Sequence, residues 1–306
     1  MTSPGRVGSV ALFLAVIGCA RRGEEGPPPP SPLAYETLLA GHAYGSPLEA
    51  SDRLYEPLRK RLPTLVSLKG RTQLVLLGDA VRVPTPEVYD RLSADLAGLG
   101  ADVVYVPGNH EITTPEQRSL FEGRYGTFPR AVRQDDDVHL FLDSVIDPWN
   151  LSGPQLSFIE SELAAARPRN VFLHCHHLVW LSPHLGADGL VHPNSDAGRP
   201  KETNFWSQVV PRLERTLAAD APVFVCVGDV GAWKEHPGLF YARRGRYHLI
   251  ATGMGGGDAV DHVVRIRHEP DGRVTLRAVP LAEGAAERPL EAVALGPGAD
   301  SAPAVR

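Results

Sequence analysis

Two segments of this chain share one figure. "LVLLGD" at 74–79 and "VFVCVGD" at 223–229 are each an apolar run that stops on a glycine followed by an aspartate. Such runs are too short for a helix and read as strands buried on both faces, with Gly-Asp marking where each leaves its sheet. Similar runs stand at "TLLAG" (37–41), "ADVVYVPG" (101–108), "VHLFLDS" (138–144) and "NVFLHCH" (170–176). Between them lie segments of helical spacing at 52–68, 86–100, 113–126, 152–166 and 204–220, several opening on Thr-Pro or Ser-Gly-Pro. After residue 229 the helical spacing stops. The runs at 238–245, 246–253 and 262–279 read as strands, the last folded into a hairpin at Asp271-Gly272. Alternating strand and helix followed by a meander predicts a layered α/β domain, with mixed β-sheets covered by helices.

The chain ends read differently. "MTSPGR" supplies a positive charge, "VGSVALFLAVIG" an apolar stretch too short for a comfortable membrane span, and Cys19 follows. "VIGC" resembles a bacterial lipobox, which implies that residues 1–19 are a lipoprotein signal peptide and Cys19 the lipidated N-terminus. Residues 20–33 form a charged, proline-rich tether with no capacity to bury a core. The expectation is an exported protein, held by a lipid anchor on the periplasmic or cell-surface side of a membrane. Residues 34–282 make the globular domain, and the Ala/Gly/Pro-rich 283–306 is read as an unstructured tail. Cys175 and Cys226 lie inside apolar strands and are expected as two buried thiols. With a net charge of −5 over 306 residues, no nucleic-acid partner is expected.

Ligand-type side chains collect where the strands end: His42, Asp79, then Asn109, His110 and Glu111, then His174, His176 and His177, and Asp229. In α/β sheets ligands sit outside the carboxyl ends of the strands. Imidazole, carboxylate and amide oxygen together suit a divalent Mn, Fe or Zn ion. The plain alternatives are turn residues for Asp79 and Asp229 and a hydrogen-bonding loop histidine for His42. His174 shares a strand face with His176 and is an alternative ligand, whereas His177 is expected on the opposite face if the strand continues through it. Trp180, Asn204 and Trp206 flank a long irregular loop from 178 to 201 and are candidates for a substrate cleft. "GMGGG" at 253–257 reads as a place where backbone passes close to the site rather than as a phosphate cradle.

The order of these pieces is similar to the calcineurin-like metallophosphoesterases. Their pattern is Asp-x-His, Gly-Asp, Gly-Asn-His-Asp/Glu, a lone His and Gly-His-x-His, each at a strand end. "GD" at 78–79 and "GNHE" at 108–111 match, and "HHLVW" at 176–180 looks like the lone-His segment with His176 as ligand. The resemblance covers about residues 35 to 280 and implies a four-layer αββα sandwich. Two pieces depart from it. Ala40-Gly41-His42 has lost the first aspartate, and Gly228-Asp229-Val230-Gly231 has lost both histidines.

Carried over residue by residue, the resemblance gives one metal the ligands Asp79, Asn109, His176 and Asp229. The other keeps only His42 and the shared Asp79, so one firm metal is expected, with a second weak or absent. It implies metal-assisted hydrolysis of a phosphate ester, with His110 as general acid and Glu111 orienting it. The substrate expected is a phosphorylated small molecule or an envelope phosphoester. The rival expectation is an inactive family member that binds an envelope ligand or partner.

Overall fold

The structure is a computed structural model that describes residues 33–49, 51–183 and 190–294. Cys19, the signal peptide and residues 295–306 lie outside the described residues, as does the tether apart from Leu33. The first half runs β1 (Tyr35–Ala40), α1 (Glu56–Leu65), β2 (Thr72–Leu77), α2 (Pro86–Leu96), β3 (Asp102–Val106), the single turn α3 (Asn109–Ile112) and α4 (Pro115–Tyr125). Then come β4 (Arg130–Gln134), β5 (Asp137–Phe141), α5 (Gly153–Ala166) and β6 (Asn170–His174). A π-helical turn (Phe205–Val209) leads into α6 (Val210–Thr216) and β7 (Val223–Val227). The meander is β8 (Leu239–Arg244), β9 (Tyr247–Thr252), β10 (His262–His268), β11 (Val274–Pro280) and β12 (Arg288–Pro289).

Two six-stranded mixed sheets result, in the orders β12-β11-β10-β1-β2-β3 and β4-β5-β6-β7-β9-β8. The strands β1, β2 and β3 are parallel, as are β5, β6, β7 and β9. Burial on both faces explains why their sequences are continuous apolar runs. Neighbouring residues point to opposite faces, so each strand feeds two cores. Leu39, Val75, Phe141, Phe172 and Cys226 fill the space between the sheets. Leu38, Leu74 and Leu76 pack under α1 and α2 with Leu58 and Leu92. Leu140, Leu173 and Val225 pack under α5 and α6 with Ile159 and Leu213. Helix, sheet, sheet and helix make the four layers expected. Cys175 and Cys226 are free buried thiols whose side chains belong to different cores, which keeps them apart.

Three details differ from the sequence expectation. β4 was not expected: "RAVRQ" is a half-buried edge strand without an apolar run. The segment at 204–220 opens as a π turn, because Pro211 has no N–H for the Ser207 carbonyl and the Val210 N–H reaches back to Phe205 instead. Residues 283–294, expected outside the fold, add β12 and a 3-10 turn (Leu290–Ala292) whose Leu290 is buried against the inter-sheet core.

Candidate metal centre

At the carboxyl ends of the parallel strands the two sheets come close enough to touch, and glycines allow it. A Cβ on Gly41 would fall 1.9 Å from the Thr252 carbonyl oxygen, and one on Gly228 would fall 2.0 Å from that of Leu77. At Gly78, where φ is +81°, it would lie 2.4 Å from His176 Nδ1; at Gly108 it would lie 2.2 Å from Asp79 Oδ1. Immediately beyond these glycines His42 and Asp79 take left-handed backbone, with φ of 46° and 53°. That is a costly conformation for such residues and occurs where surrounding structure enforces it.

The five residues expected as ligands come together here. His176 Nε2 lies 3.1 Å from Asn109 Oδ1, 3.3 Å from Asp79 Oδ2 and 3.8 Å from Asp229 Oδ1. His42 Nε2 lies 3.9 Å from Asp79 Oδ2. The other nitrogen of each ring faces a backbone carbonyl: His176 Nδ1 is 2.9 Å from Leu77 O, and His42 Nδ1 is 3.3 Å from Met254 O. A carbonyl only accepts, so each Nδ1 carries a hydrogen and each Nε2 is left facing the acids, the position from which it could ligate a cation in place of a proton. Asp229 Oδ2 is buried without a hydrogen-bond partner. A turn aspartate would spend its oxygens on nearby N–H groups; this one holds an oxygen in reserve, as a cation ligand must.

Electrostatics agree with the geometry. Burial raises the Asp229 carboxyl to about 7, against the charge of His176. Burial opposes charge on Asp79 too, but the facing His176, His110 and His42 hold it well below the usual carboxylate range. His176 is pushed up to about 10, because Asp79 and Asp229 outweigh its own burial. His42 is lowered to about 4 by burial. Without a cation these buried acids have only the imidazoles to balance them.

Glu111 does not orient His110. It is fully buried, and its carboxylate accepts from the backbone N–H of Gly108 (2.8 Å), Asp79 (2.9 Å) and Val81 (3.2 Å) and from the Tyr105 hydroxyl (2.6 Å). The His110 ring is held instead by donating Nδ1–H to the Arg82 carbonyl at 2.8 Å. Its Nε2 lies 4.0 Å from Asp79 Oδ2 and 3.4 Å from the Tyr44 hydroxyl, beside a cleft of about 290 Å³ lined by Arg82, Val83, Asn109 and Thr113. A larger groove, of about 770 Å³, lies along Pro237–Leu239 and residues 282–286 and contains none of these ligands.

His174 points between the sheets, where its Nε2 meets His139 Nδ1 at 3.1 Å, so it is no alternative to His176. The strand does not continue through His177. β6 ends at His174, strand alternation ends with it, and ligand atoms of His176, His177 and Asp229 lie within 4.8 Å of one another. The pair of histidines past the strand end was the available signal. Tyr44 was also missed; its buried ring packs against His42 and His110, with centroids 4.2 and 5.0 Å away. Trp180, Asn204 and Trp206 serve the core. The Trp206 indole donates to the Trp180 carbonyl, and the Asn204 amide bonds the Leu151 backbone in both directions. The N–H groups of Gly255, Gly256 and Gly257 are taken by the Asp261 carboxylate, so "GMGGG" cradles no phosphate.

No family model and no curated protein matches the chain. Solved structures do. The structure of PhoD matches with a TM-score of 0.52 at 10% identity, over 84% of this chain and 68% of that one. A putative 5'-nucleotidase from Staphylococcus aureus matches at 0.46 and 13% identity, over 83% of this chain and 55% of that one. A protein serine/threonine phosphatase from Saccharomyces cerevisiae matches at 0.41 and 11% identity, over 85% and 84%. Such identities speak to the fold alone, and of these three matches the one to PhoD carries it. Four layers, two mixed sheets and that match give this chain the metallophosphoesterase fold.

Proposed function

We propose that this chain is a metal-dependent hydrolase of phosphate esters with one firm metal centre. The observation that carries the reading is Asp229, buried with Oδ2 partnerless and with Oδ1 3.8 Å from the Nε2 of His176, whose Nδ1 hydrogen is already committed to a backbone carbonyl. Asp79, Asn109, His176 and Asp229 would hold a Mn, Fe or Zn ion. A divalent ion in such a site polarises phosphoryl oxygens and supplies an activated water. Asp79 receives the His110 backbone N–H at 3.1 Å, which fixes the loop carrying the acid. His110, with Nδ1–H on Arg82, takes a second proton at Nε2 and gives it to the leaving oxygen. Ala40 and Gly231 supply no ligand, so a second ion would have only His42 and Asp79 from the expected set.

The lipobox-like "VIGC" supports a lipid-anchored protein at the cell envelope, acting on a phosphorylated small molecule or an envelope phosphoester. The missing second-ion ligands favour one rival, a protein that binds a phosphate ligand without turnover. Incubating the purified chain and each metal with p-nitrophenyl phosphate and bis(p-nitrophenyl) phosphate separates the two. Chelator-sensitive release of nitrophenol, lowered about 100-fold or more in His110→Ala, supports the hydrolase. Metal binding with no release from either ester supports the rival.

A further inference from the structure

We propose that His177 is a further ligand of this metal centre, supplying the imidazole that the chain no longer has at position 229. The inference rests on the metal-centre reading and deepens it. His177 follows His176 in the two-residue bend past β6, and it is buried. Its backbone N–H donates to Ser144 Oγ at 2.9 Å, and its Nδ1–H to the Ser144 carbonyl at 2.8 Å. Its ring stacks on Trp149 with centroids 4.7 Å apart and an interplanar angle of 20°. The ring is therefore fixed in one tautomer and one orientation, with Nε2 left as the ligating atom. This is the support given to His176 by Leu77 and to His42 by Met254, repeated on a third imidazole.

The geometry closes around the same space. Ligand atoms of His176, His177 and Asp229 all lie within 4.8 Å of one another. Two ligands about 2.1 Å from a tetrahedral zinc ion stand about 3.4 Å apart, so a modest contraction brings these three onto one ion. Asp229 Oδ2 is buried without a hydrogen-bond partner, so the carboxylate keeps an oxygen free for a cation. With His177 included, the centre offers two imidazoles, two carboxylates and an amide oxygen. Such a set selects zinc, iron or cobalt over magnesium or calcium. His177 then offsets the change at position 229: the carboxylate that replaced a histidine stands beside a histidine the sequence pattern does not count.

The test is cobalt binding to the full chain after chelation and dialysis, followed through the visible d–d bands, with zinc affinity measured against a chromophoric chelator. Wild type is expected to take Co2+ with a band of four- or five-coordinate shape. His177→Gln is expected to shift that band and weaken zinc by more than about 100-fold, beyond the 10- to 100-fold that losing an outer partner costs. His177→Gly with millimolar imidazole is expected to regain the wild-type band. Equal metal-free melting temperatures for wild type and variants establish that the fold is intact. An unchanged band and affinity in His177→Gln overturns the inference and leaves the metal centre standing. Weakened binding with an unchanged band and no imidazole rescue assigns His177 to support and also overturns it. A wild-type chain that binds no metal overturns both.

Discussion

Glu111 lies beneath the centre as a carboxylate that receives three backbone N–H groups and a phenol, all without solvent. Burial and the nearby Asp79 charge raise its pKa, while those donors work to keep it ionised. Its task is to hold Gly78-Asp79 and Gly108-Asn109 in register with each other. Replacing it by glutamine sets an NH2 donor against backbone donors and leaves at least one of them unpaired. Glu111→Gln is therefore expected to cost about 3 kcal/mol in urea unfolding and to weaken metal binding through Asp79. A variant as stable as wild type would remove Glu111 from this role. "GNHE" made these residues visible in the sequence, but not the directions of their side chains. His110 and Glu111 are adjacent in the chain, yet one opens to a cleft and the other is sealed under the strand ends. That difference arises from the Arg82 carbonyl and Tyr105 hydroxyl, which reach the site from elsewhere.

Among the elements, the strand-end glycines decide how near the sheets come. Gly228→Ala would place a methyl group 2.0 Å from the Leu77 carbonyl oxygen and 2.7 Å from Leu77 Cβ, contacts that only a shift of backbone relieves. A loss of about 3 kcal/mol is expected, together with metal affinity, since Asp229 moves with it. Gly123 is the opposite case, an α4 residue with nothing within 4 Å of an added Cβ. Gly123→Ala is expected to stabilise by about 0.5–1 kcal/mol with metal binding unchanged. Thermal melts of the two proteins check both signs. The apolar parallel strands and the proline-started helices were legible because burial and capping write themselves into local sequence. β4 was not legible: as an edge strand it needs no apolar run. The place of His177 was not legible because the sequence does not mark that β6 ends at His174.

For the whole molecule, the space between the sheets holds a polar chain as well as apolar side chains. The Tyr35 hydroxyl donates to Asp137 at 2.7 Å, His268 Nδ1 donates to Asp137 at 2.9 Å, and the ring nitrogens of His139 and His174 meet at 3.1 Å. Burial, then the charge of His268, lowers His174 to about 3, and burial holds His139 well below its ordinary value. The folded chain thus binds fewer protons than the unfolded chain below pH 6.5. Stability rises with pH through that window and falls as pH drops from 6.5 toward 3, by about 1.4 kcal/mol per unit for each histidine. Urea midpoints are expected to fall from pH 7 to pH 4.5, with a slope shallower by one proton in His174→Phe. Equal slopes would mean that His174 is charged in the fold. The alternation of strand and helix announced mixed sheets covered by helices, and the family resemblance their four layers, while nothing local in the sequence announced this chain of contacts. Its members come from β1, β5, β6 and β10, far apart in the chain and joined only by the packing of one sheet on the other.

The central claim is one firm metal centre built on Asp79, Asn109, His176 and Asp229. Metal content per chain tests it most directly: the protein is loaded with Mn, Fe or Zn, freed of unbound ion and assayed beside Asp79→Ala. About one ion per chain is expected in wild type and none retained in the variant. No ion in wild type, or the same ion content in Asp79→Ala, would contradict it.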